Sequence, residues 1–147
     1  MLLNPNVTRK LFQKNKKGHI KGIETKSYQI KFGFFGIKIL RTFRLTPEQL
    51  EAGRKLLIKY LRICAKDAKI KIWLRVFPHI GISSKPKEIR MGKGKGKIAK
   101  YIINAKAGQI LYEFDCPNFT QKNFLIILKL LQYKFPRNIC GIYRENL

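Results

Sequence analysis

Acidic residues are what this chain lacks most. Eight Asp and Glu stand against 32 Lys and Arg, a formal balance of +24 over 147 residues. So few carboxylates leave no convincing pair for general acid–base catalysis. Glu48 and Glu51 lie one turn apart in a basic stretch, where ion pairs to Lys55 or Arg54 explain them better. Histidine (His19, His79) and cysteine (Cys64, Cys116, Cys140) are sparse, widely spaced and without a CxxC. That excludes a zinc site and a disulfide framework and leaves buried or incidental thiols of a reducing compartment. GxGxxG, GxxxxGK[ST] and GxSxG are all missing, so nucleotide-fold and hydrolase fingerprints are gone. No apolar run approaches the ~20 residues that span a bilayer, and Leu2 with Leu3 is too short for a signal h-region. Nothing here calls for an enzyme, a cofactor, a small-molecule substrate or secretion.

What is present is positive charge in quantity. The chain is 45% apolar and 27% charged, and its length suits one domain with a real core. Yet +24 would be costly self-repulsion for a solitary globule. A polyanion resolves it: nucleic acid first, an anionic membrane surface or acidic protein second. The cations cluster at 9–21, 54–71, 85–100 and 129–144, which describes a protein embedded on several sides and not a neutral domain with one basic tail.

The densest expression is the run from 89 to 97, Ile-Arg-Met-Gly-Lys-Gly-Lys-Gly-Lys. Glycine allows positive φ and close approach by a foreign backbone. Lysine at every second position supplies mobile ammonium groups for a repeating line of phosphates. The competing reading of such a run is a solvated linker.

Residues 1–26 carry Arg9, Lys10, Lys14, Lys16 and Lys17 with little apolar periodicity, the pattern of an extended arm that orders on its partner. A mitochondrial presequence is the rival, although Lys, Asn and Gly outnumber the Arg and Ser such segments favour. The remainder, 27–147, reads as one α+β domain. Alternation predicts a strand over 27–32 with Tyr28, Ile30 and Phe32 inward, and a second over 34–40 in which Gly36 marks a bulge or a close backbone. Thr46, Pro47 and Gln49 form a helix start. That helix is expected to run to about Ala65, with Leu50, Leu57, Leu61 and Cys64 on one stripe and Arg54, Lys55, Lys59, Arg62 and Lys66 opposite. A strict strand follows over 69–77, stopped by Pro78, with Trp73 set for packing under a helix. Residues 78–97 show no regular pattern and read as a long basic loop. A hairpin is expected from 98–104 and 109–114 around Gly108, then a helix from Asn118 or Thr120 to about Tyr133, then a short strand over 139–143. The fold class expected is two helices packed on a largely antiparallel sheet, with a long basic loop and an extended basic N-terminal arm.

Five stretches occur in a telling order: Phe-Gly-Phe-Phe-Gly-Ile-Lys at 32–38, Arg-Leu-Thr at 44–46 and on to Arg54, Ile-Trp-Leu-Arg-Val-Phe-Pro at 72–78, Lys-Pro at 85–86 running into Arg-Met-Gly-Lys-Gly-Lys-Gly at 90–96, and Gly-Gln-Ile-Leu-Tyr-Glu at 108–113. Together they resemble the universal large-subunit ribosomal protein family known in bacteria as L-sixteen, over about residues 9–136. The pattern departs at His79, Ile80 and Gly81, at 63–69, and from residue 118 onward.

The resemblance implies a protein wedged among large-subunit rRNA helices and neighbouring ribosomal proteins at the aminoacyl-tRNA site. Its loop would reach toward the peptidyl transferase centre, organising RNA and leaving peptide transfer to it. Carried over, the loop residues are Lys85, Arg90, Met91, Gly92, Lys93, Gly94, Lys95, Gly96 and Lys97. Arg44, Arg54, Lys55 and Arg75 join the arm cations as further candidates for RNA contact. The chain begins near where family members begin, so no presequence is expected. With its wealth of Ile, Lys, Asn, Phe and Tyr, that points to an organelle-encoded mitochondrial ribosomal protein, with the cytoplasm of an AT-rich bacterium as the alternative.

Overall fold

The computed structural model describes residues 18–65, 69–117, 119–135 and 139–144. Among the described residues, seven strands and two helices follow in the order β1 (Phe35–Ile39), β2 (Phe43–Leu45), α1 (Pro47–Cys64), β3 (Lys71–Leu74), β4 (Ile80–Ser84), β5 (Lys97–Ala105), β6 (Ile110–Asp115), α2 (Gln121–Gln132) and β7 (Ile139–Tyr143). The class is α+β, as expected. The strands, however, divide between two antiparallel sheets, β3-β6-β1-β7 and β2-β5-β4.

That division overturns the expected hairpin around Gly108. β5 pairs with β2 and β4, whereas β6 pairs with β1 and β3. The turn carries the chain from one sheet to the other. Gly108 (φ +87) donates its N–H to the Ile39 carbonyl at 2.8 Å, and Ile39 donates its own N–H to the Gln109 carbonyl in a 2.9 Å bond. Alternation alone reports two strands and a turn; it cannot tell a hairpin from a change of sheet.

α1 starts where its capping box places it. The Thr46 hydroxyl accepts from Gln49 N–H at 3.3 Å, and the Gln49 side chain accepts from Thr46 N–H at 3.1 Å. Leu50, Gly53, Leu57 and Leu61 form its buried stripe. Cys64, expected on that stripe, is exposed in the last turn. Gly53 is needed for contact: a Cβ there would stand 2.5 Å from the Phe135 ring and 2.8 Å from the Tyr112 hydroxyl. α2 is capped by Thr120 and buries Phe124, Ile127 and Leu131. Phe124 joins Phe35, Phe114 and Phe119 in an aromatic cluster with neighbouring centroids 5.1–6.5 Å apart. One apolar core unites these residues with Ile37, Ile39, Leu45, Tyr112 and Ile139.

The strand expected over 27–32 does not form. Tyr28 and Phe32, expected inward, are exposed, Phe32 by 59%. The segment is tacked down by isolated bonds instead: Glu24 N–H to Ala107 O at 2.9 Å and Ile110 N–H to Ser27 O at 3.0 Å. Its last three amides, of Lys31, Phe32 and Gly33, all donate to one carboxylate oxygen of Glu113, at 3.1, 2.6 and 3.2 Å. Period-two alternation was present, but the bonds that a strand would make to a neighbour are made to a side chain. Gly36 meets the Ile142 and Ile30 side chains, at 3.1 and 3.2 Å from a built Cβ, and not a backbone; the irregularity of β1 falls one step later, between Ile37 and Lys38. Trp73 is covered by Phe32 of this same segment, ring centroids 6.1 Å apart, and not by a helix.

Candidate nucleic-acid interface

The basic stretch of 78–97 is only partly a loop. Its first part is β4, which pairs antiparallel with β5 as far as Ser84 opposite Lys97. The sequence hid this strand because Gly81 and two serines replace the usual apolar alternation; Gly81 is there because a Cβ would stand 2.9 Å from the Ile98 side chain. β5 is buried at Ile102, Ile103 and Ala105 and exposed at Lys97, Ala99 and Lys100. The outer half of the β4–β5 hairpin therefore projects from the body with the loop at its end.

That loop, 85–96, is closed at its base and open at its tip. The Lys85 ammonium donates across it to the Gly92 carbonyl. Gly96 leaves no room for a side chain, a Cβ there falling 2.3 Å from the Ser84 carbonyl oxygen. Between these points Gly92 (φ +93), Lys93 (φ 54) and Gly94 (φ +81) are consecutive left-handed residues. Such a run bends the chain sharply and turns amides and lysine stems outward. Met91 at the tip is 99% exposed, and Arg90, Lys93, Lys95 and Lys97 are exposed with it. Glu88 is the one acid among the loop's six cations, counting Lys85 through Lys97. At this density of like charge, a line of phosphates lowers the electrostatic energy more than water alone can.

The other candidates are placed differently. Arg44 sits in β2, beside Asn104 of β5 and so on the hairpin's own sheet, and donates to the Gly18 carbonyl. Lys55 is exposed on α1; Arg54 beside it is half-buried and bound twice to Glu51, at 2.7 and 3.0 Å. Arg75 is turned inward. It pairs with Glu113 and lies 5.0 Å over the Phe32 ring, with its side chain 11% exposed and that of Glu113 not at all. Arg9, Lys10, Lys14, Lys16 and Lys17 lie outside the described residues. Two exposed lysines were missed, Lys87 in the loop and Lys100 on the projecting half of β5. Both lie in the cation cluster at 85–100, which was the signal for them. Glu113 was missed as well, although a lone acid inside an otherwise apolar strand is a signal in itself.

The family model described as ribosomal protein L16p/L10e matches residues 7–140. The chain belongs to that family. Among its relatives is the large ribosomal subunit protein uL16c of Chara vulgaris, 34% identical over 145 residues, 99% of this chain and 94% of the relative. The large ribosomal subunit protein uL16m of Prototheca wickerhamii is 40% identical over 115 residues, 78% of this chain and 79% of the relative. The uL16 of Afipia carboxidovorans is 36% identical over 117 residues, 80% of each. None of these names denotes an enzyme. The L16p/L10e match takes in the hairpin and its loop. It also runs through α2, past the point where the sequence pattern departs.

Among the described residues no cluster of three or more His, Cys, Asp or Glu could hold a metal ion, and no helix is long and apolar enough to cross a membrane. The three cysteines are free; burial pushes the thiols of Cys116 and Cys140 above their ordinary values, which makes them poor nucleophiles.

Proposed function

We propose that this chain is a structural constituent of the large ribosomal subunit, binding large-subunit rRNA and shaping the aminoacyl-tRNA site near the peptidyl transferase centre. The loop at the end of the β4–β5 hairpin carries the reading. A rigid base and an exposed Gly-Lys tip suit a finger inserted among RNA helices, where lysines meet phosphates and left-handed glycines admit a close backbone. In this role the protein positions RNA by shape and charge and performs no chemistry. The relatives named as large-subunit proteins support the same assembly for this chain. A membrane-surface role would need an exposed apolar face on α1; Leu50, Leu57 and Leu61 are buried there.

Relatives of the uL16m and uL16c types, with the Ile-, Lys- and Asn-rich composition, favour an organellar ribosome, and we place the chain in the mitochondrion. Sucrose-gradient fractionation of source mitochondria, with mass spectrometry of each fraction at low and high salt, tests both statements. The expected result is co-migration with the large subunit. Migration as a free protein, unchanged by ribonuclease, overturns it.

A further inference from the structure

A cleft unconnected with the loop opens at one end of the four-stranded sheet. β3 begins and β6 ends there with the opposed pair Lys71 and Asp115. Beside them Phe34 stands just ahead of β1, and its carbonyl accepts from the Arg144 N–H, 2.8 Å away, just past β7. Tyr143, Lys69 and Phe119 complete a cleft of about 690 Å³, within the roughly 300–1,000 Å³ of sites that enclose small ligands. Two of its aromatic rings face solvent, Phe34 by 46% and Tyr143 by 51%. Lys69, Lys71 and Arg144 supply three exposed cations among its lining residues, and Asp115, half-buried and opposite Lys71 in the β3–β6 register, supplies an acceptor.

We infer that this cleft holds one unpaired nucleotide of RNA, its base against Tyr143 and Phe34 and its phosphates against Lys69, Lys71 and Arg144. The inference rests on the RNA-binding reading above but not on the loop. Exposed rings beside cations are what a splayed base and its backbone require, and a duplex, with its bases stacked inside, cannot use them. Asp115 selects further. A carboxylate repels an acidic peptide that the cations alone would admit. It accepts from the exocyclic amine of cytosine, adenine or guanine, whereas uracil has no exocyclic amine and flanks its one N3–H with two carbonyl oxygens that the carboxylate repels.

The test is fluorescence anisotropy of the full chain with labelled hexacytidylate, hexauridylate and a short RNA duplex at one fixed salt. The wild-type chain is expected to bind hexacytidylate more tightly than hexauridylate. Tyr143→Ala should weaken hexacytidylate binding by about fivefold or more, the loss of one stacking contact, and leave duplex binding unchanged. Asp115→Asn should erase the preference for cytosine. Should thermal unfolding find Tyr143→Ala destabilised, Arg144→Ala, which keeps the backbone bond to Phe34, takes its place, with a loss confined to the single strands. Equal losses on duplex and single strand, no loss, or displacement of hexacytidylate by hexaglutamate would each overturn the cleft. If those outcomes come with duplex binding that Lys93→Ala/Lys95→Ala/Lys97→Ala abolishes, only the cleft is wrong. A wild-type chain that binds none of the three RNAs overturns the RNA-binding reading along with it.

Discussion

Arg75 and Lys93 carry the same charge in one molecule and are used in opposite ways. Arg75 faces a fully buried carboxylate whose second oxygen already receives three backbone amides, so its charge is spent inside the protein, tying the 31–33 segment to β6 and β3. Lys93 stands in a left-handed turn at the tip of a hairpin whose loop, 85–96, contributes nothing to the core. Charge count alone therefore overstates what is offered to a polyanion. Burial and internal acids withdraw some cations, and what remains is concentrated where the backbone projects. With only eight acids in the chain, each one that is buried or bonded decides which cation is withdrawn.

The sharpest way to break this comparison is at Glu113. Glu113→Ala leaves three backbone amides and the inward-turned Arg75 guanidinium without their carboxylate, and loss of one partner of a buried ion pair costs about 3–5 kcal/mol. Urea unfolding should show a loss of that size. A loss below about 1 kcal/mol would mean that water already serves these groups. The loop should behave in the opposite way. Lys93→Ala/Lys95→Ala/Lys97→Ala is expected to leave stability within about 0.5 kcal/mol, as for ordinary surface changes. The same variant should flatten the log–log salt dependence of rRNA binding by about 2–3, at roughly 0.7–0.9 per phosphate contact. An unchanged slope would remove the loop from the interface.

Sequence reading found the helices, the capping box and the basic loop because each is written locally, in Thr46 and Gln49 or in a glycine–lysine repeat. It failed where the information is non-local. The pairing of Lys31, Phe32 and Gly33 amides with Glu113 spans some eighty positions and uses a side chain as a strand would use a backbone, so alternation at 27–32 mistook an anchored segment for a strand. β4 was hidden for the converse reason: Gly81, Ser83 and Ser84 have poor strand propensity, and β5 imposes the conformation on them. Arg75 read as an RNA ligand on motif and charge, and nothing near it in sequence announces the acid that holds it. The end-of-sheet cleft assembles four separate stretches of the chain, around Phe34, Lys69, Asp115 and Tyr143, and has no sequence signature.

Tyr112 extends the contrast to pH. Its buried hydroxyl donates to the Leu50 carbonyl at 2.6 Å, fixing α1 against β6, and burial pushes its pKa well above the ordinary value of about 10. The folded chain thus keeps this proton at pH values where the unfolded chain releases it. The contribution is full below about pH 10 and is lost as pH rises beyond it. Tyr112→Phe should cost about 1 kcal/mol near neutrality, and the deficit should shrink in urea titrations above pH 10. A deficit constant with pH would mean that the phenol is solvated.

The smallest effect joins the two regimes. Glu51 and Arg54 form a pair like that of Glu113 and Arg75, but on the surface of α1, each side chain 31% exposed. The hydrogen bond from Arg54 holds the Glu51 carboxyl below its ordinary value. A lowered folded-state pKa gives stability that is present above the unfolded value and lost as pH falls through the folded one, so Glu51→Gln should cost only about 0.2–0.5 kcal/mol at pH 7 and nothing in strong acid. Its effect on RNA is the more informative. Glu51 withdraws Arg54 from a partner as Glu113 withdraws Arg75, though reversibly and at the surface. If the basic face of α1 lies on rRNA, Glu51→Gln frees one guanidinium for a phosphate and steepens the log–log salt slope by about 0.7–0.9. If that face looks into solvent, the slope stays as it is, and Arg54 belongs with Arg75 among the cations the protein keeps for itself.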